Sequence, residues 1–220
     1  MIALDGHPLE PFRPEGGRIV LGPGMRADLL LDCTGEPGSS YRVVDDFYPR
    51  EAYRLLDLRY AKGGARGRAR GAPKALSPNP VPEPDPARAE RHLVRFGGGE
   101  RGGLTRELAM RGIAWTVNGR AVSGHAHEPL LSLPLGSSQV LELVNDTVWH
   151  HPIHLHGHVF RVLSRDGRPN PRREWADTVL LFPRSRAEIA FVAENPGLWM
   201  FHCHVLEHQE SGLAAVFRVA

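Results

Sequence analysis

The sequence predicts an all-β protein: a Greek-key β-sandwich in the C-terminal part, preceded by an incomplete second sheet domain. Three observations carry this expectation. Apolar or alternating runs are short and stop at Gly, Pro, Asn or Asp, as strands stop at turns. Gly (24) and Pro (19) are plentiful among the 220 residues, which suits many strands and turns. No segment sustains the three-and-four apolar spacing that a long amphipathic helix needs.

Residues 1–61 read as about five strands. Ile2-Ala3-Leu4 runs into a turn at Asp5-Gly6, and Arg18-Ile19-Val20-Leu21 stops at Gly22-Pro23-Gly24. Leu29-Leu30-Leu31 is apolar at every position, as in a strand covered on both faces. Tyr41–Val44 and Tyr53–Leu58 follow, each bounded by turn residues. Five strands are too few for a complete sandwich, so the chain reads as beginning inside a domain.

Residues 62–91 change character. Gly63-Gly64 opens an Ala/Arg/Gly run, and Pro78, Pro80, Pro82, Pro84 and Pro86 alternate with other residues. Alternate prolines fit neither a helix interior nor a central strand, so an extended linker with polyproline II character is expected. Lys62, Arg66, Arg68 and Arg70 make the start basic; it reads as flexible linker, with a phosphate-binding patch as the alternative.

The second domain spans 92–220. Leu93–Phe96 enters it, and Trp115–Val117 leads into an Asn118-Gly119 turn. Leu130–Leu133, Gln139–Val144, Trp175–Leu181, Ala187–Val192 and Ala214–Val219 are further strands. With the two histidine-rich segments described below, about eight strands result, and that number suits a sandwich. A further His125-Ala126-His127 pair lies in a Ser-Gly loop beside Glu128-Pro129; it reads as a solvated loop, or alternatively as another ligand pair.

Composition excludes several classes. The net charge of +2 is too small to suggest a nucleic-acid partner. No apolar run approaches the roughly 20 residues of a membrane span, and the first ten residues lack the basic and apolar regions of a signal peptide. The two cysteines are Cys33 and Cys203. If Cys203 is committed to a metal, no internal disulfide forms, and Cys33 is expected to be a small buried residue.

Function concentrates in two segments. His150–Phe160 and Trp199–Leu213 hold eight of the twelve histidines together with Cys203. Side chains alternate faces along a strand, so Cys203 points away from His202 and His204, and His151 away from His154 and His156. Two ligand sets follow. One is Cys203 with His151, joined by His208 if the chain turns after His204. The other is His154, His156, His202 and His204. Thiolate with two imidazoles is a blue-copper ligand set.

HPIHLHGH followed by HCHxxxHxxxxL resembles the paired C-terminal signature of the multicopper oxidases, the laccase-like family. The resemblance covers residues 92–220 and implies the cupredoxin fold. "LGPGMRADLLLD" similarly resembles the closing strands of a middle cupredoxin domain, which implies that 1–61 is the end of such a domain. By resemblance, His151, Cys203 and His208 are type 1 copper ligands, and Leu213 holds the non-coordinating axial position. His154 matches a type 2 ligand, and His156, His202 and His204 match type 3 ligands. His202-Cys203-His204 then links electron entry to the cluster where O2 is reduced to water. The complete enzyme would hold up to four coppers and oxidise a small, phenol-like donor or, as the alternative, a metal ion. Its compartment would be periplasmic or extracellular. His150 and His158 match no ligand position.

The sequence departs from the family pattern in two places. A complete cluster needs eight histidines, and four stand at matching positions here. An N-terminal cupredoxin domain, in a longer polypeptide or on a partner, is expected to supply the rest; otherwise the cluster is lost. Gln209 stands where related bacterial enzymes often carry a carboxylate, leaving Glu207 or Glu210 either to substitute or to be solvated surface charges. A plain blue-copper electron carrier and an inactive fragment remain as alternatives to the oxidase.

Overall fold

The computed structural model describes residues 1–63, 71, 73–99, 106–110, 112–121 and 128–220. Arg66, Arg68, Arg70 and the His125–His127 pair therefore lie outside the described residues. In chain order the strands are β1 (Ala3–Leu4), β2 (His7–Pro8), β3 (Ala27–Asp28), β4 (Ser40–Asp45), β5 (Tyr53–Arg59) and β6 (Glu90–Gly98). They continue as β7 (Trp115–Val117), β8 (Leu131–Leu133), β9 (Ser138–Asn145), β10 (His151–Leu155), β11 (Phe160–Arg165) and β12 (Arg168–Pro169). The last are β13 (Trp175–Ala176), β14 (Thr178–Leu181), β15 (Arg186–Val192), β16 (Gly197–Cys203) and β17 (Ala214–Val219). Two short helices, α1 (Arg106–Met110) and α2 (Leu206–Glu210), are also described, and no described helix is long and apolar enough to cross a membrane.

Two sheets form the sandwich. One has the order β14-β10-β16-β17-β8, the other β12-β11-β15-β9-β6-β7 with β13 paired to β11. Most pairs are antiparallel, while β6–β9 and β8–β17 are parallel. Alternation drives the assembly: Leu141 and Leu143 of β9 and Ile189 and Phe191 of β15 are buried in one core. Aromatic side chains bridge it. Phe96 of β6 lies 6.0 Å from Phe201 of β16, which stacks on Phe217 of β17 at 4.8 Å. Fully burying each such ring stabilises the fold by roughly 1.5–3 kcal/mol.

The expected turn at Asn118-Gly119 is present, with both residues at positive φ (49° and 72°), as a tight hairpin turn of this type requires. Asp5-Gly6 repeats it (49° and 79°) and joins β1 to β2. The small β2-β1-β3 sheet is not isolated, because Leu4 and Leu9 belong to the same buried core as the sandwich. The proline-rich stretch is tied down as well. Glu83 receives a fork of hydrogen bonds from Arg161 (2.7–3.1 Å), and Asn79 donates to the Gly6 carbonyl at 3.2 Å.

The structure corrects four sequence expectations. Leu29-Leu30-Leu31 forms no strand and is 56–61% exposed, because no described element lies over either side. Cys33 is exposed rather than buried, since it follows that uncovered run. Trp175–Leu181 is two strands rather than one: β13 pairs with β11 in one sheet, and β14 pairs with β10 in the other. The chain changes sheets at Asp177. Arg18–Leu21 likewise makes no ladder.

Candidate metal centre

Strands β10 and β16 lie side by side, with Ile153 opposite Cys203 and His154 opposite His202. This register and the two-residue alternation separate the histidines as expected. After His204 the chain turns into α2, which returns His208 toward Cys203. His151 Nδ1 and His208 Nδ1 stand 3.1 Å apart, and they lie 3.8 and 3.7 Å from Cys203 Sγ. Among the described residues these three side chains can together hold one metal ion, their ligand atoms all lying within 4.8 Å of one another.

The surroundings orient each ligand. Thr147 gives its hydroxyl proton to Asn145 Oδ1 (2.8 Å) and so accepts from His151 Nε2 (2.8 Å), leaving His151 Nδ1 as the free lone pair. The buried Trp115 ring packs at 4.4 Å from His208 and 5.0 Å from His151. Leu213, fully buried, is tied by its backbone to both neighbours. Its carbonyl accepts from Cys203 N–H at 3.1 Å, and its N–H donates to the His208 carbonyl at 2.9 Å.

The electrostatics fit a cation. Burial, then the neighbouring His208 and His150, push His151 down to about 3. Burial lowers His208 too and pushes the Cys203 thiol up to about 12. Both imidazoles are therefore neutral, the form that binds metals, whereas a thiolate here needs a bound cation to compensate its charge. Two neutral imidazoles and a buried sulfur make a soft, compact donor set that fits copper.

The opposite face gathers the other four histidines. His154 lies 4.8 Å from His156 and 4.6 Å from His204 between ring centres, and His202 lies 5.1 Å from His204. His156 Nε2 and His202 Nε2 approach to 2.9 Å. His202 Nδ1 is occupied by the Cys203 carbonyl at 2.9 Å, and His154 Nδ1 by the Asp177 carbonyl at 2.8 Å. Burial holds His202 down at about 4 and lowers His156 and His204. Asp177 is buried against ionisation, yet hydrogen bonds with His154, Arg26 and Thr178 hold its carboxyl well below the usual range.

The remaining described histidines join neither group. His158 is buried between Phe191 and Trp199, with Nδ1 facing the His156 carbonyl (3.3 Å) and Nε2 accepting from Asn195 N–H (3.4 Å). Both of its nitrogens are thus committed. His150 packs between Phe47 and Phe182, each 5.2 Å away. Glu207 and Glu210 are exposed on α2. Sequence reasoning missed the roles of Thr147, Asp177, Arg26 and Asp5. Arg26 lies in the LGPGMRADLLLD stretch, but nothing local to any of the four marks a contact with the histidines, because their partners are set by the sheet packing.

A family model described as multicopper oxidase matches residues 104–220. The chain belongs to the multicopper oxidase family, whose cofactor is copper, and its sandwich is cupredoxin-like. It is 36% identical to a multi-copper oxidase of known structure from Pseudomonas thermotolerans, with a TM-score of 0.79, covering 100% of this chain and 49% of that one. It is also 42% identical over 100 residues to multicopper oxidase MmcO of Mycobacterium tuberculosis, covering 46% of this chain and 19% of that protein. A laccase of Neurospora crassa is 25% identical over 282 residues, covering 99% of this chain and 43% of the laccase. The chain thus spans less than half the length of each of these relatives.

Proposed function

We propose that this chain carries the electron-entry site of a multicopper oxidase and half of the histidines of its O2-reducing cluster. His151, Cys203 and His208 hold the type 1 copper in this reading, with Leu213 at the axial position as a non-ligand. His154 serves a type 2 copper, and His156, His202 and His204 serve a type 3 pair. The observation that carries the reading is the convergence of two free Nδ1 atoms on the buried Cys203 sulfur, at 3.8 and 3.7 Å.

Copper bound at these residues would supply one-electron redox chemistry. The chain's own part is to hold the imidazoles neutral and oriented, to keep water from Cys203, and to connect the two faces. His202-Cys203-His204 is a continuous covalent path between them, shortened by the bond from His202 Nδ1 to the Cys203 carbonyl. Trp149, 47% exposed and 6.2 Å from His208 between ring centres, marks the edge where a small phenol-like donor can approach. The four-histidine face has no use in a plain electron carrier, which favours the oxidase.

The other cluster histidines come from an N-terminal cupredoxin domain, in a longer polypeptide or on a partner. In this reading residues 1–61 are the end of a middle domain, with Leu4 and Leu9 packed into the sandwich core, and 62–91 is a linker whose last two residues open β6 of the copper-binding domain, 92–220. Copper per chain, measured together with oxygen uptake on a phenolic donor, tests the proposal. One type 1 copper with negligible uptake is expected of the chain alone, and both should rise when an N-terminal half is added. Efficient four-electron turnover by the chain without a partner would contradict it.

A further inference from the structure

The opening segment reaches the four-histidine face through an ionic network. Asp177 sits where the chain leaves β13 in one sheet for β14 in the other. Arg26 donates to it in a fork, Nη1 to Oδ1 at 2.9 Å and Nη2 to Oδ2 at 2.8 Å. Asp5, its side chain fully buried, accepts from the Arg26 backbone N–H at 2.9 Å. It also accepts from the backbone N–H groups of Asp177 and Thr178, both at 3.3 Å. A buried carboxylate is costly unless its oxygens are matched in this way.

The network ends on a histidine. Thr178 Oγ1 donates to Asp177 Oδ1 at 2.8 Å, so it can only accept from His154 Nδ1, 3.1 Å away. The Asp177 carbonyl accepts from the same nitrogen at 2.8 Å. Both partners demand a proton on Nδ1, and this leaves Nε2 as the free lone pair. The same loop also touches the neighbouring ligand candidate. Gly24, whose carbonyl accepts from Arg26 Nη1 at 2.9 Å, stands so close to His204 that an added Cβ would lie 2.8 Å from its ring.

We propose that Arg26 is a positioning residue for the four-histidine face: by clamping Asp177, and with Asp5 the Asp177–Thr178 backbone, it fixes His154 as the Nδ1–H tautomer with Nε2 presented to a metal. This rests on the reading of His154 as a copper ligand. An ordinary exposed ion pair would contribute little and leave the imidazole untouched. A clamp acting through two hydrogen-bond acceptors of one ring sets its tautomer and, as for outer-shell partners of metal ligands generally, its metal affinity.

The test uses the 220-residue chain with 15N-labelled histidine, first metal-free and then titrated with Zn2+, a diamagnetic cation that also binds imidazole. In the unaltered chain His154 should give a single Nδ1–H tautomer. Arg26→Leu should yield a tautomer mixture and weaken Zn2+ binding at His154 about 10–100-fold. Arg26→Lys, which keeps the charge without the fork, should fall between the two. Asp177→Asn should shift the tautomer in the same direction as Arg26→Leu, and it decides the matter with Arg26→Lys if Arg26→Leu fails to fold. The resonance of His158, which joins neither ligand group, reports the fold throughout, and that of His151 does so before Zn2+ is added. Variants with an unchanged His154 tautomer and unchanged Zn2+ affinity would overturn the proposal. A lack of any Zn2+ response at His154 in the unaltered chain would instead overturn its reading as a ligand.

Discussion

His151 Nδ1 and His208 Nδ1 lie 3.1 Å apart although 57 positions separate them in sequence. One imidazole is fixed by a strand and the other by a five-residue helix, so their meeting depends on the turn at His204. His151 is held further by Thr147, and this contact gives the first prediction. Thr147→Val keeps the shape but removes the acceptor for His151 Nε2. A stability loss of about 1–3 kcal/mol is expected, with copper affinity at the Cys203 site falling about 10–100-fold. Thermal unfolding and a chelator competition would measure both; unchanged affinity would remove Thr147 from the site.

Leu213 offers a test of the axial position. A thioether donates to Cu(II) and favours the oxidised state, which a leucine side chain does not. Leu213→Met should lower the reduction potential and change stability by less than about 1.5 kcal/mol, because the volumes are similar. A redox titration giving an unchanged or raised potential would show that residue 213 is not axial.

Gly24 should tolerate no side chain. Its φ of +83° is one penalty, and the His204 ring, 2.8 Å from where an added Cβ would lie, is a second. Gly16 has a positive φ of +59° but open space around it. Gly16→Ala should therefore cost about 1–2 kcal/mol, and Gly24→Ala more, with His204 displaced. Denaturant unfolding of the two variants compares them directly, and equal losses would mean that His204 is not held by this contact.

The hairpin of β4 and β5 presents an apolar face. Tyr41 pairs with Leu58 and Val43 with Leu56, and Tyr41, Val43 and Leu56 are exposed, as are Leu29, Leu30 and Leu31. Surface of this kind associates in water. The isolated chain should self-associate with rising concentration, and Val43→Lys with Leu56→Lys should reduce this. Light scattering after size-exclusion chromatography measures it; a double variant that associates as strongly as the parent would place the sticky surface elsewhere.

The metal-site candidates were legible in the sequence because a two-residue period converts spacing directly into facing. His151, His154, Cys203 and His202 needed only that rule, and His208 needed one turn more. The sandwich was legible from short alternating runs ending at residues such as Asn118-Gly119. Asp177 was hidden because Trp175–Leu181 reads as one strand, and a change of sheet leaves no mark on an apolar run. Arg26 and Asp5 act across 151 and 172 positions, a distance that local patterns do not encode. Leu29-Leu30-Leu31 and Cys33 misled because apolar character states what a residue favours, while exposure depends on what covers it.

The most direct test of the account is copper loading of the 220-residue chain, followed by its absorption spectrum. A type 1 site at His151, Cys203 and His208 predicts one strongly bound copper with an intense thiolate-to-Cu(II) band. Cys203→Ser should abolish that band while leaving the fold intact. A folded, copper-loaded chain without the band, or a band that survives Cys203→Ser, would contradict the assignment of Cys203 as the entry point for electrons.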